Sequence, residues 1–263
     1  VARLSLNPLR PVRFFYLALS YPIQFKAGII NGGFGIEERA LKYKRLWRVH
    51  LERTKREILE QLTGEGESLT VLGAGRLLDL PLAELAKRYR EIRLIDFDPG
   101  ALPILKTAAR KIGPGRITVQ LSDITNSIAS FSKGLDSSTE AIKFAADFVP
   151  TSPPAIKGDV LSLNLLSQLS HSFLSLLKRK LIQSGDGLSE EDLIEVLTPL
   201  AHRIINQHLK LLQGPEVRSS LLITDILQND ASTLFGYELD GFENSWEWQI
   251  TPTETFKVVS RVK

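Results

Sequence analysis

Ser68-Leu69-Thr70-Val71-Leu72-Gly73-Ala74-Gly75 is a short apolar β run that ends on two glycines. Glycines at the end of a strand let the chain turn tightly and let backbone approach a neighbour or ligand closely. Downstream, Ile92-Arg93-Leu94-Ile95-Asp96 is a second strand, and Ile117–Leu121 a third that ends near Asp123. Asp159-Val160-Leu161-Ser162-Leu163-Asn164 is a fourth, and Ser219–Ile226 a fifth. Helical spacing fills the gaps, over about 79–90 (Asp79 as N-cap), 100–112, 137–148, 170–183 and 189–212. Ser137 and Glu140 stand at capping-box spacing. Strands alternating with helices imply an α/β chain with a mainly parallel sheet between two helical layers. Trp246–Ile250 and Thr255–Val262 read as a closing antiparallel hairpin, which brings the expected strand count to seven.

Upstream, two segments fill residues 1–62, and the sheet domain is expected over 63–263. Asn31-Gly32-Gly33-Phe34-Gly35 reads as a hinge, followed by one long helix over about 37–62. That helix carries an apolar stripe of Trp47, Leu51, Ile58 and Leu62, so it must pack on the sheet domain. Residues 1–62 hold 12 Lys/Arg against 5 Glu, and the remaining residues hold 21 against 25 Asp/Glu. A basic block on a mildly acidic body predicts a lid or docking element that draws an anionic acceptor or partner.

Composition narrows the chemistry. Of 263 residues, 43% are hydrophobic and 24% charged, which excludes disorder and collagen. The absence of cysteine excludes a disulfide scaffold, a thiolate zinc site and a cysteine nucleophile, and suits a reducing, cytoplasmic compartment. The apolar stretch Phe14–Ile23 falls short of the roughly 20 residues a membrane span needs. The chain has neither a Gly-x-Ser-x-Gly elbow nor a Gly-x-x-x-x-Gly-Lys phosphate loop. His202 and His208 are six apart on a helix and face different ways, so no metal site is expected.

In an open α/β sheet, ligands bind at the carboxyl ends of the strands. The residues there are Gly73-Ala74-Gly75, Asp96-Phe97, Ser122-Asp123, Asn164 with Ser167 and Gln168, and Asp225. Asp96 lies 23 residues past Gly73, a separation at which a carboxylate can accept from ribose hydroxyls.

Val71-Leu72-Gly73-Ala74-Gly75, Leu94-Ile95-Asp96-Phe97-Asp98-Pro99, Ser122-Asp123 and Asp159–Asn164 stand in an order that resembles the class I S-adenosylmethionine-dependent methyltransferases. The resemblance implies a three-layer Rossmann-like methyltransferase fold and S-adenosyl-L-methionine as cofactor. It implies Gly73 and Gly75 near the methionine part, Asp96 on the ribose and Asp123 on the adenine, with Ala74, Phe97 and Ser122 completing the cofactor-binding set. Asn164 would face the transferred methyl, and both Asn164 and His50 of the leading helix are catalytic candidates. Two positions depart from the family pattern. Val71 stands where an acidic residue is usual, and Leu77 where a third glycine is frequent; Asp79 and Arg76 are the neighbours that could compensate.

Two other classes share this outline, a non-catalytic methyltransferase-like binding protein and an NAD(P)-dependent Rossmann oxidoreductase. The oxidoreductase fingerprint is broken at Leu78, and the chain contains no Tyr-x-x-x-Lys. No Asn-Pro-Pro-Tyr or Asp-Pro-Pro-Tyr follows the fourth strand; Leu165-Leu166 form an apolar rim instead. A small-molecule or protein acceptor is therefore expected, with nucleic acid as a further candidate.

Overall fold

The computed structural model describes residues 9–64, 67–166, 168–186, 188–228, 249–252 and 256–260. Five strands run parallel: β1 (Ser68–Leu72), β2 (Glu91–Asp96), β3 (Ile117–Leu121), β4 (Gly158–Leu163) and β5 (Val217–Gln228). Their order across the sheet is β3-β2-β1-β4-β5. The parallel part of the sheet thus has five strands, and two more bring the sheet to seven. Two short antiparallel strands adjoin it: β7 (Phe256–Ser260) pairs with β5, and β6 (Gln249–Pro252) with β7. Trp246 and Trp248 lie outside the described residues.

Successive strand residues point to opposite faces, and each face has its own core. On one side Val71, Leu161 and Leu221 meet α5 (Leu82–Arg88), α6 (Leu102–Ile112) and the end of α4 (Lys44–Gln61). On the other, Leu72, Val160 and Leu222 meet α7 (Ile128–Ser137), α8 (Ala141–Asp147), α9 (His171–Ser184) and α10 (Glu190–Leu212). The layers are therefore α/β/α. Phe131 is fully buried in the second core, with Phe148 and Phe173 at 5.0 Å edge to face. Continuous apolar strands such as β1 and β4 are what a sheet covered on both faces requires.

The N-terminal segment differs from its sequence reading. It forms α1 (Arg10–Ser20), α2 (Pro22–Lys26) and α3 (Ile29–Lys42) before α4, and the expected long helix is broken at Tyr43. Gly32, Gly33 and Gly35 are not a hinge but lie inside α3. At Gly33 the reason is close approach. A Cβ on Gly33 would sit 2.1 Å from Asp98 Oδ2 and 2.8 Å from Arg76 Nη2. Ile58 and Leu62 do lie in the core beneath the sheet, as the stripe demanded.

Two caps also differ. α5 starts at Leu82 with Pro81 at its N-cap, so Asp79 is not the capping residue. At α8 it is Ser138 Oγ, not Ser137, that accepts a backbone N–H, from Glu140 at 3.1 Å.

Candidate functional site

The site lies at the carboxyl edge, where β1 is flanked by β2 on one side and β4 on the other. This is the switch point of the sheet, since the chain leaves β1 first towards β2 and later returns to pair β4. Gly73 and Gly75 both hold positive φ, +79° and +50°. Their surroundings differ. A Cβ on Gly73 would come within 2.6 Å of the Leu163 carbonyl oxygen and of Leu165, so packing against β4 demands that glycine. A Cβ on Gly75 would meet nothing nearer than 3.8 Å, so open space lies over it. Leu77 adopts φ +57°, at the position where a third glycine was noted as missing.

Asp96 ends β2 beside this turn. Its Oδ2 accepts the Gly75 N–H at 2.6 Å, and its Oδ1 accepts the Asp98 N–H at 2.7 Å. A carboxylate offers about four lone-pair directions, so each oxygen retains one for a further donor. Burial pushes the Asp96 carboxyl above its usual range, and the two backbone N–H groups partly oppose that. The residue still keeps some surface open to the edge.

Across the turn, Asp79 is half-buried at the mouth of β4. Asn164 donates from Nδ2 to Asp79 Oδ2 at 2.6 Å. Asn164 sits at φ +53°, a left-handed conformation that asparagine tolerates better than most side chains, and its N–H donates to the Ile223 carbonyl at 2.8 Å. Burial raises the Asp79 carboxyl, while His50 and, more weakly, Lys55 of α4 act in the opposite sense as nearby positive charge. Asn164 is thus hydrogen-bonded to Asp79, and His50 is near enough for its charge to act on the same carboxylate.

Arg76 is not available to compensate for Val71. Its Nε donates to Glu37 Oε1 at 2.9 Å and its Nη1 to Asp98 Oδ2 at 2.6 Å, with only 5% of its side chain exposed. Burial works against the guanidinium charge, but Asp98 and Glu37 hold its pKa above the ordinary value. Arg13 of α1 extends the cluster, donating to Glu37 Oε1 at 3.0 Å and to the Gly100 carbonyl at 2.7 Å. Sequence reasoning singled out neither Glu37 nor the pairing role of Asp98. Arg13, Glu37 and Arg76, far apart in sequence, become a network only once α3 crosses the β2–α6 loop.

Asp123 has a different part from the one expected. Its Oδ1 accepts the Thr125 N–H and hydroxyl at 2.9 and 2.7 Å, and its Oδ2 the N–H groups of Ser127 and Ile128 at 3.0 and 2.8 Å. All four lone-pair directions are engaged, so the carboxylate holds the turn into α7 rather than offering an acceptor to adenine. Ser122 continues the ladder, its N–H donating to the Asp96 carbonyl at 2.9 Å. Phe97 is half-buried against the second core. Ser167 and the side chain of Asp225 lie outside what is described. His208 is buried with its Nε2 2.8 Å from Ser162 Oγ of β4, and burial lowers its pKa to about 4. Among the described residues, no group of three His, Cys, Asp or Glu could hold a metal ion.

No family model and no curated protein matches the chain. Among solved structures it is similar to the magnesium protoporphyrin IX methyltransferase ChlM from Synechocystis PCC 6803, solved with bound SAM. There the identity is 11%, the cover 81% of this chain and 79% of that one, and the TM-score 0.42. An O-methyltransferase family protein from Burkholderia thailandensis is 9% identical over 82% of this chain and 56% of that one, with a TM-score of 0.40. TrmK of M. capricolum, solved with S-adenosyl-homocysteine, is 10% identical over 81% and 67%, with a TM-score of 0.37. At such identities and TM-scores these likenesses leave the activity to be argued from the chain's own residues.

Proposed function

We propose that the chain is an S-adenosylmethionine-dependent methyltransferase acting on a small-molecule or protein acceptor. The observation that carries this reading is the pair of carboxylates, Asp96 and Asp79, on either side of the Gly73–Gly75 turn. A cofactor suited to them is a diol at one end and a cation at the other, and S-adenosylmethionine is both. Asp96 would accept from the ribose hydroxyls through its two remaining lone pairs. Asp79 would face the ammonium and sulfonium charge, the role that Val71 cannot take. Open space over Gly75 gives room for the ligand backbone between them.

The same pair argues against a dinucleotide. A pyrophosphate at the glycine turn would be drawn by the N-terminus of the following helix. Here α5 begins only at Leu82, seven residues past Gly75, and the half-buried Asp79 carboxylate would repel an anion.

The cofactor supplies the methyl group on a sulfonium, and with it the leaving group. The protein's contribution is alignment and exclusion of water. Asn164 fixes Asp79 through one hydrogen bond. His50, near Asp79 on α4, is in its neutral form the side chain that can take a proton from an acidic acceptor. α3 closes over the β2–α6 loop through Gly33, which keeps bulk water from that side.

Asp79→Asn separates the two carboxylate roles. It should weaken S-adenosylhomocysteine binding by about 1.5–3 kcal/mol, the scale of a hydrogen bond to a charged group. Methylthioadenosine, which has the ribose and adenine but no ammonium, should bind the variant as it binds the wild type. Equal losses for both ligands would remove Asp79 from the proposed subsite.

A further inference from the structure

α1 is apolar on two faces. One face packs inward, with Leu17 buried against Ile30 and Phe34, and Phe14 and Phe25 closing the cluster. The other carries Leu9, Val12, Phe15, Tyr16 and Leu19, each 62–83% exposed. At about 100° per residue these five fall within an arc of roughly 120°, a continuous apolar stripe along the helix. Among the described residues nine large apolar side chains are exposed, and five of them are on this one stripe. Two more, Tyr43 and Val49, belong to the same N-terminal layer. Scattered exposed apolar residues are ordinary on a protein surface, but a contiguous stripe marks a surface with a partner.

The charge beside the stripe is basic in excess: Arg10 pairs with Glu38, Arg13 with Glu37 and Lys26 with Asp136, and with Lys178, Arg179 and Lys180 the cations outnumber these acids. From Leu9 to Ile36 the chain has no Asp or Glu, and it carries Arg10, Arg13 and Lys26. Phe15 stands edge to face with Phe14 at 6.0 Å, Phe14 with Phe25 at 5.9 Å, and Arg179 of α9 lies over Phe25 at 5.3 Å. That chain of rings leads from the apolar stripe to Arg179, which is flanked by Lys178 and Lys180. Lys26 stands next to Phe25 with nearly half its side chain exposed. Basic side chains therefore lie on α2, which packs on α1, and on α9, which packs on α2, and Arg10 opens α1 itself.

We infer that this face binds the surface of an anionic lipid bilayer. A helix of 11 residues is far too short to span the hydrocarbon, and among the described residues no helix is long and apolar enough to do so. Lying in the interface is a different matter. Leu9, Val12 and Leu19 enter the acyl boundary, and the rings of Phe15 and Tyr16 sit at headgroup level. Lys26, Arg179 and their neighbours meet the lipid phosphates. A protein partner would be expected to present acidic side chains around an apolar groove. An anionic bilayer offers both features over any length of helix, which suits a long stripe without a defined pocket. This inference does not depend on the methyltransferase reading.

Co-sedimentation of the full chain with lipid vesicles tests it. The protein should pellet with phosphatidylcholine vesicles containing about 30% phosphatidylglycerol, and its affinity should fall on the order of tenfold as salt rises to about 0.5 M. Pure phosphatidylcholine should retain little. Phe15→Glu/Leu19→Glu should abolish binding without lowering thermal stability, because both side chains are exposed. Lys26→Glu/Arg179→Glu, which leaves the stripe intact, should weaken binding to the anionic vesicles alone. The inference is overturned if the wild type does not pellet, or if it binds neutral vesicles equally well. It is also overturned if the stripe instead forms a dimer that Phe15→Glu/Leu19→Glu dissolves. Unfolding of that double variant would show the face to be packed within the chain, and would equally overturn the inference.

Discussion

Substituting alanine at each glycine of the β1 turn should have opposite consequences. Gly73 and Gly75 are two residues apart, both at positive φ, and look equivalent in sequence. A left-handed conformation costs an ordinary L residue roughly 1–2 kcal/mol, and both variants bear that cost. At Gly73 the new Cβ also meets a backbone oxygen, Leu163 O, at 2.6 Å, and Leu165 Cγ at 2.6 Å. Relief requires β4 to shift, an overpacking cost of about 1–3 kcal/mol. Gly73→Ala should therefore lose about 2–5 kcal/mol of folding stability, and Gly75→Ala only about 1–2. Urea unfolding followed by far-UV circular dichroism measures both, with an unchanged slope confirming that the folded state alone is affected. Ligand binding should invert the order of interest. The Gly75→Ala methyl projects into open space at the edge, so this better-folded variant should lose S-adenosylhomocysteine affinity. Equal destabilisation of the two variants, or wild-type affinity in Gly75→Ala, would refute the division of labour assigned to the turn.

Three further outcomes follow from the same geometry. Arg76→Met should destabilise the fold by about 3–5 kcal/mol, because it strands the buried Asp98 carboxylate and leaves Glu37 to Arg13 alone, and Asp98→Asn should recover part of the loss when combined with it; denaturant melts of the single and double variants check this. Burial raises the Asp79 carboxyl, so its contribution to stability is complete below the unfolded value near 3.8 and is lost as pH rises through the folded one; Asp79→Asn should thus melt higher than the wild type at about pH 8 without ligand, and show no such gain near pH 3. The folded His208 pKa of about 4 lies below the ordinary 6.5, so stability is full above 6.5 and falls as pH drops towards 4, by about 2 kcal/mol between pH 7 and pH 5. His208→Gln should remove that part of the pH dependence in paired urea titrations.

The five strands were legible because each is a short apolar run, and the sheet is covered on both faces. The two departures at Val71 and Leu77 were legible too. What the sequence concealed were the roles that depend on distant contacts. Gly33 looked like a flexible joint, yet it must lack a Cβ because Asp98, 65 positions on, lies where that atom would be. Asp79 looked like a helix cap because a proline and an apolar run follow it. Its partner is Asn164, which pairing of β1 with β4 carries alongside. Asp123 has the right place for an adenine contact, but the local Thr125, Ser127 and Ile128 donors satisfy it first. Glu37 was invisible as a site residue, since nothing in a basic helical segment distinguishes a buried carboxylate from a solvated one.

The central claim is that a diol-binding and a cation-binding carboxylate flank one glycine turn. Calorimetric titration of the wild-type chain with S-adenosylhomocysteine and, in parallel, with NADH tests it most directly. Saturable one-to-one binding of S-adenosylhomocysteine, weakened by about 1.5–3 kcal/mol in Asp96→Ala, and no heat with NADH is the predicted result. Binding of NADH in place of S-adenosylhomocysteine, or an Asp96→Ala variant with undiminished affinity, would contradict it.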